Sequence, residues 1–370
     1  MSRLEALAST RRGAAALFGL GLLVYALVSL ALPLVAGRDF PTYVTTWAQL
    51  DQWSSVLPMT MLYRPPVAPL VAIGPLDALG GWVAEGWLAI LYAASVVAWS
   101  AVARRAGPRA TLLTAAALLL YPGYVLLFHR LASDAVFGAA FAGWALLVAR
   151  AVERPTWGRF ALVGLGVAVL ALTRPGNQVL LLAALLPLAL PLAWRRRAAL
   201  VAAAAVPAVI LLGAWAVNNG LRYDDYAVAR GGGAYLPFFR VFTTDHLVDP
   251  RNGDASRELA DAIQRDILTR EPYRSRGVDL DTFLARGSDR LFEDVLNLSD
   301  RRWGWDTDYA TLRRAALESV RANPGAYLSG VGSTLGRLLW QPFFYELPET
   351  AEAAPAAPVA GAASAVSGSS

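Results

Sequence analysis

Apolar residues in this chain come in long unbroken runs, not as a single stripe along each helix. An α-helix needs roughly 20 such residues to cross the hydrocarbon of a bilayer. Seven runs fit, at about 14–36, 82–103, 110–128, 133–149, 160–173, 177–193 and 199–217; the fifth is short. The pattern predicts an all-α integral membrane protein with about seven transmembrane helices in residues 1–217. The stretch 220–322 is far more polar. Within Ala255–Arg270, Leu259, Ile263 and Ile267 recur at helical spacing behind Asp254 or Ser256 as a cap, and Asp306–Arg321 is patterned similarly. Residues 218–345 therefore read as a small, mainly helical domain. Its segment 324–344 reads either as an eighth span or as an interfacial amphipathic helix, and Arg337 with the Gly/Ser content favours the latter. The Ala/Pro/Ser-rich tail 346–370 is expected to be disordered.

Arginine placement gives an orientation. Arg3, Arg11 and Arg12 precede the first run, and Arg104, Arg105 and Arg109 follow the second. Arg150, Arg154 and Arg159 follow the fourth, and Arg195, Arg196 and Arg197 follow the sixth. With seven spans all these clusters fall on one side, which the positive-inside rule makes cytoplasmic. The expectation is a cell-membrane protein with a cytoplasmic N-terminus. The first loop, 37–81, and everything from residue 218 onward would then be extracytoplasmic.

Composition narrows the function. Of 370 residues, 56% are hydrophobic and 16% charged, against about a quarter charged in soluble proteins. The net charge of +5 comes with no Lys at all, and no basic stripe with interleaved aromatics suggests a nucleic-acid partner. With no Cys and only two His, His129 and His246, neither disulfides nor a metal site nor a cofactor is expected. The first apolar run lacks a small-residue cleavage site and reads as a retained helix. Gly330-x-Gly332-x-x-x-Gly336 follows no strand and is not a dinucleotide loop.

Candidate chemistry collects at the predicted outer boundary. Asp39 stands at the end of the first run; a carboxylate there serves either as a general base for an acceptor hydroxyl or as a loop staple to Arg38 or Arg64. Trp47 and Trp53 suit a helix lying at the interface. Asp134 begins the fourth run, where it either faces a cavity or fills the first turn of a helix capped by Ser133. Arg64 and Arg174 either reach headgroups or clamp a phosphate. His129 is an interfacial polar residue or a hydrogen-bonding partner of the same site. Arg222, with Tyr223, Asp224 and Asp225, either lines that cavity or forms a charged loop.

The motifs Asp39-x-x-x-Tyr43, Arg64-Pro65-Pro66, Leu172-Thr173-Arg174-Pro175, Ala214-Trp215-Ala216-Val217-Asn218-Asn219-Gly220 and Asn323-Pro324-x-x-Tyr327-Leu328 occur in that order. Together they resemble the GT-C superfamily of glycosyltransferases, in the family-39-like branch of protein O-mannosyltransferases and aminoarabinose transferases. The resemblance covers residues 1 to about 345. It implies a GT-C-like bundle and a polyprenyl-phosphate sugar as donor. It further implies transfer to a glycan, lipid or protein hydroxyl beside membrane lipids. By the same resemblance Asp39 matches the catalytic Asp, Asp134 a second acidic residue, and Arg64 a donor-phosphate contact, with Tyr43, Arg174 and Arg222 as further binding residues. Two departures stand out: Asn218 replaces an Arg common in relatives, and many relatives continue with further spans. The expected reaction is an inverting transfer with Asp39 as base. The rival expectations are a lipid or solute transporter and a catalytically silent scaffold.

Overall fold

The computed structural model describes residues 10–37, 39–51, 64–230, 237–304 and 307–340. The chain divides into two compact units, one running to Ala229 and the other starting at Arg230. The expected tail 346–370 lies outside the described residues.

The first unit is helical apart from one short strand pair. Helix α1 (Arg11–Ala31) starts where Thr10 Oγ1 accepts the Gly13 N–H at 3.0 Å. Strand β1 (Val35–Ala36) and helix α2 (Phe40–Asp51) follow. A π-helical turn, Pro69–Ile73, runs into α3 (Gly74–Leu79). Then come α4 (Gly81–Ala103), α5 (Pro108–Leu120), α6 (Pro122–Phe128), strand β2 (Arg130–Leu131) and α7 (Ser133–Glu153). Helix α8 (Trp157–Ala171), a 3₁₀ stretch (Pro175–Ala189) and α9 (Trp194–Tyr223) complete the unit.

Among the described residues, α1, α4, α7 and α9 are long and apolar enough to cross a membrane, and α5 with α6 makes a fifth if the bent pair counts as one. Seven spans were expected, and by length and apolarity the described helices support four or five. Run 110–128 bends by 64° at its break, because Pro122 lacks an N–H and forces Tyr121 into an extended conformation (φ −81°, ψ 108°). Run 160–173 yields only the 15 residues of α8, about 22 Å at 1.5 Å per residue, short of the roughly 30 Å hydrocarbon. It stops ahead of Pro175, and run 177–193 continues as 3₁₀ helix carrying Pro187. Helix α9 runs on to Tyr223, which keeps residues 218–229 with the bundle.

Burial follows the logic of a lipid solvent. Leu23, Leu27 and Leu30 of α1 and Val209 and Ile210 of α9 are exposed, as side chains facing hydrocarbon are free to be. At two helix crossings a glycine allows close approach. A Cβ on Gly21 would lie 3.0 Å from Ala93 of α4, and one on Gly164 of α8 would collide with the Ala204 backbone of α9. Tyr25, Tyr92 and Phe128 fill the interior. At one end of the bundle the arginine clusters interlock: Arg105 pairs with Glu153 at 2.6 Å, and Arg159 and Arg196 donate to the carbonyls of Arg150 (2.7 Å) and Pro155 (3.1 Å). At the other end β1 pairs in parallel with β2, Val35 opposite Arg130 and Ala36 opposite Leu131.

The second unit holds α10 (Asp254–Asp266), α11 (Leu280–Ala285), α12 (Asp289–Trp303), α13 (Ala310–Ala322) and α14 (Pro324–Trp340). The periodic residues Leu259, Ile263 and Ile267 are buried, although the α-helix itself ends at Asp266 instead of reaching Arg270. Its start differs from expectation too. The N-cap is Gly253, and Glu318 of α13 supplies the missing acceptor, taking the N–H of Ala255 (3.1 Å) and of Ser256 (2.8 Å) and the Ser256 hydroxyl (2.8 Å). Partial burial pushes the Glu318 carboxyl up, but these donors outweigh it and hold it below the usual carboxylate range. A Cβ at position 253 would strike that carboxylate, which is why glycine sits there.

Small-residue packing carries a testable consequence. Gly164→Val should destabilise the protein by about 1–3 kcal/mol, the usual cost of overpacking. Gly158→Val, where a Cβ meets nothing within 4 Å, should cost little by comparison. Thermal unfolding in detergent reads both.

Candidate functional site

The end of the bundle opposite the arginine clusters is assembled by two backbone tethers. In the first, Val35 N–H donates to His129 O (3.1 Å) and Gly37 N–H to Leu131 O (3.2 Å). Glycine is required at 37, because a Cβ would come within 2.8 Å of the Ala132 Cβ. This pairing brings the start of α2 against the start of α7. In the second, Val67 N–H donates to Leu172 O at 3.1 Å. That bond brings the returning strand of the first loop, Arg64-Pro65-Pro66, to the turn that carries Arg174.

Four charged side chains form two ion pairs near these tethers. Arg64 Nη2 lies 3.0 Å from Asp39 Oδ2, with the two side chains 27% and 43% exposed. Arg174 pairs with Asp134, at 44% and 49% exposure. Tyr43 joins the pairs. It sits one helical turn after Asp39, is buried to 3% exposure, and has the Arg64 guanidinium 5.2 Å from its ring centroid. Ser133 lies close enough to influence the Tyr43 hydroxyl. Burial pushes the Tyr43 hydroxyl above its ordinary pKa, and Asp39 adds to the rise, while Arg64, Ser133 and Arg174 oppose it. One phenol thus feels charges from both pairs.

Other residues expected here are placed differently. His129 is 2% exposed, bonded to Ser29 Oγ through Nε2 (3.0 Å) and to Val125 O through Nδ1 (3.1 Å), and stacked on Tyr25 with ring centroids 4.1 Å apart. It belongs to the interior of the bundle. Arg222 donates to Gln49 O at 3.4 Å and so reaches the far end of α2. Asn218 donates to Asn219 Oδ1 (3.5 Å), and Asn219 in turn to Ala227 O (2.8 Å). Trp47 bonds Asp77 at 3.0 Å and lies over Gly74, fixing α2 on α3. Arg38 and Trp53 lie outside the described residues.

Ser133 has a different task from the one expected. The N-cap of α7 is Ala132, which makes no side-chain cap bond, and Ser133 is the first helical residue. It lies near Tyr43 instead, and sequence spacing gave no signal of that. Asp134 does occupy the first turn, where the helix dipole favours a carboxylate. Among the described residues no three His, Cys, Asp or Glu side chains are grouped as metal ligands.

Compared with protein-family models, with curated proteins and with solved structures, the chain matches none.

Half-exposed ion pairs contribute about 0–1 kcal/mol to stability. The Asp134–Arg174 pair is therefore available for ligand chemistry at little cost to the fold. A double-mutant cycle of Asp134→Asn and Arg174→Gln, read by unfolding in detergent, should give a coupling below about 1 kcal/mol. A coupling of several kcal/mol would make the pair a structural staple.

Proposed function

We propose that this protein is a membrane glycosyltransferase of the GT-C type. It moves a sugar from a polyprenyl-phosphate carrier to an acceptor hydroxyl at the extracytoplasmic face of the cell membrane. The observation that carries the reading is the pair of half-exposed Asp–Arg ion pairs gathered around Tyr43 at the end of the bundle away from the arginine clusters. The positive-inside rule puts that end outside and the N-terminus in the cytoplasm. The likeness of the Asp39, Arg64-Pro65-Pro66 and Arg174 motifs to the GT-C pattern supplies the donor class.

The chemistry follows from what each group is able to exchange. A phosphate accepts two parallel bonds from a guanidinium, as a carboxylate does. A donor phosphate that draws Arg64 toward itself releases Asp39, whose carboxylate then accepts a hydrogen bond from the acceptor hydroxyl. Asp39 takes that proton as the oxygen attacks the anomeric carbon. The bond from carbon to phosphate oxygen breaks, and polyprenyl phosphate leaves with its charge held by Arg64 and Arg174. A single displacement inverts the anomeric centre. Asp134 orients Arg174, and Tyr43 orients Arg64.

A second reading, lipid translocation, draws on the 64° break between α5 and α6, since broken helices mark many transporters. One experiment separates the two: purified protein in liposomes with a radiolabelled polyprenyl-phosphate sugar and an acceptor extract. Sugar transfer should appear, and Asp39→Asn should lower turnover by about 10²–10⁴-fold, the range for a positioned base. Donor flipping without transfer would favour translocation, and near-normal transfer by Asp39→Asn would remove Asp39 as base.

A further inference from the structure

Helix α14 differs from its neighbours in the second unit. Helices α10, α12 and α13 carry six, seven and four charged residues over 13, 15 and 13 positions, whereas α14 carries Arg337 alone in 17. One stripe of α14 is seated on protein. The Arg240 guanidinium lies 5.5 Å from the Tyr327 ring centroid and donates to Thr334 Oγ1 at 3.4 Å. Gly330 presses on Asp245, which itself pairs with Arg240 at 2.9 Å. Tyr327, Gly330 and Thr334 stand at i, i+3 and i+7, so this contact is continuous along the helix.

The next stripe round the helix is Leu328, Val331 and Leu335, at the same spacing, and it is 67%, 37% and 54% exposed. Ser333 and Arg337 lie on the side away from this stripe, with Ser329 and Gly336 between and Gly332 bordering Leu328. An apolar stripe with the helix's one cation on the far side suits a helix lying in a lipid–water interface. The same chain carries four or five helices fit to cross a membrane, so a bilayer is always tethered to it. A full crossing by α14 would draw the Arg240–Asp245 pair on which it sits into hydrocarbon, which is costly.

We propose that α14 is a membrane-contact element, with Leu328, Val331 and Leu335 inserted at the boundary of headgroups and acyl chains. The second unit thereby holds lipid through its own surface, independently of the glycosyltransferase reading.

The absence of cysteine from the chain makes the test direct. Full-length protein carrying single spin-labelled cysteines, Leu328→Cys, Leu335→Cys, Ser329→Cys or Ser333→Cys, is reconstituted in phosphatidylethanolamine–phosphatidylglycerol liposomes. Relaxation by oxygen is then compared with relaxation by a water-soluble nickel chelate. Labels at 328 and 335 should respond several-fold more to oxygen, and labels at 329 and 333 to nickel. Four nickel-dominated labels would overturn the proposal, as would four oxygen-dominated labels, which would indicate a crossing helix. Spin–spin broadening at 328 that vanishes on dilution with unlabelled protein would assign the stripe to a second copy and overturn it too. Size-exclusion elution like that of the parent protein verifies that each variant is folded.

Discussion

Hydrocarbon offers a polypeptide no hydrogen-bond partners, so backbone leaving a helix near a membrane must find them within the protein. Beyond the end of α1, Val35 and Gly37 donate to His129 and Leu131, and Val67 donates to Leu172. These bonds answer the solvation problem and at the same time determine which side chains meet. The first aligns the approach to α2 with the start of α7, which sets Tyr43 near Ser133. The second sets Arg64 beside the turn bearing Arg174. Without the close approach at Gly37, the phenol and the two ion pairs would not share one field.

The two ends of the bundle are chemically unlike. One is held by arginines bonded to helix-terminal carbonyls and to Glu153, which suits cations near helix C-termini and headgroups. The other holds opposite charges in balance, half exposed, around a buried tyrosine. Pairs so exposed add little to stability, yet they keep two carboxylates and two guanidinium groups oriented before any ligand arrives. Preorganised groups of this kind are what electrostatic stabilisation of a departing phosphate requires.

Much of the fold was legible in the sequence because a lipid solvent writes itself into long apolar runs. The runs at α1, α4, α7 and α9 became helices of crossing length. Where the runs gave helices that were bent, short or tightly wound, proline was at hand: Pro122 bent one, and Pro175 and Pro187 border or interrupt two others. Mean apolarity does not register such breaks. In the second unit the periodicity of Leu259, Ile263 and Ile267 marked the buried face of α10, whereas its cap came from Glu318, more than fifty residues away and invisible to local pattern. At the candidate site the structure pairs the charges singled out from the sequence, Asp39 with Arg64 and Asp134 with Arg174, whereas nothing in the sequence hinted at Ser133 beside Tyr43 or at His129 turning inward onto Tyr25.

The central claim is that the two arginines form a seat for a lipid-linked phosphate, and binding of the phosphate without any sugar tests it most directly. Titration calorimetry of the purified protein in detergent, with a short-chain prenyl phosphate and with the matching prenyl alcohol, separates the phosphate from the chain. The phosphate should bind at least tenfold more tightly than the alcohol, and Arg64→Gln with Arg174→Gln should abolish the difference. Equal binding of phosphate and alcohol, or an unchanged preference in the double variant, would contradict it.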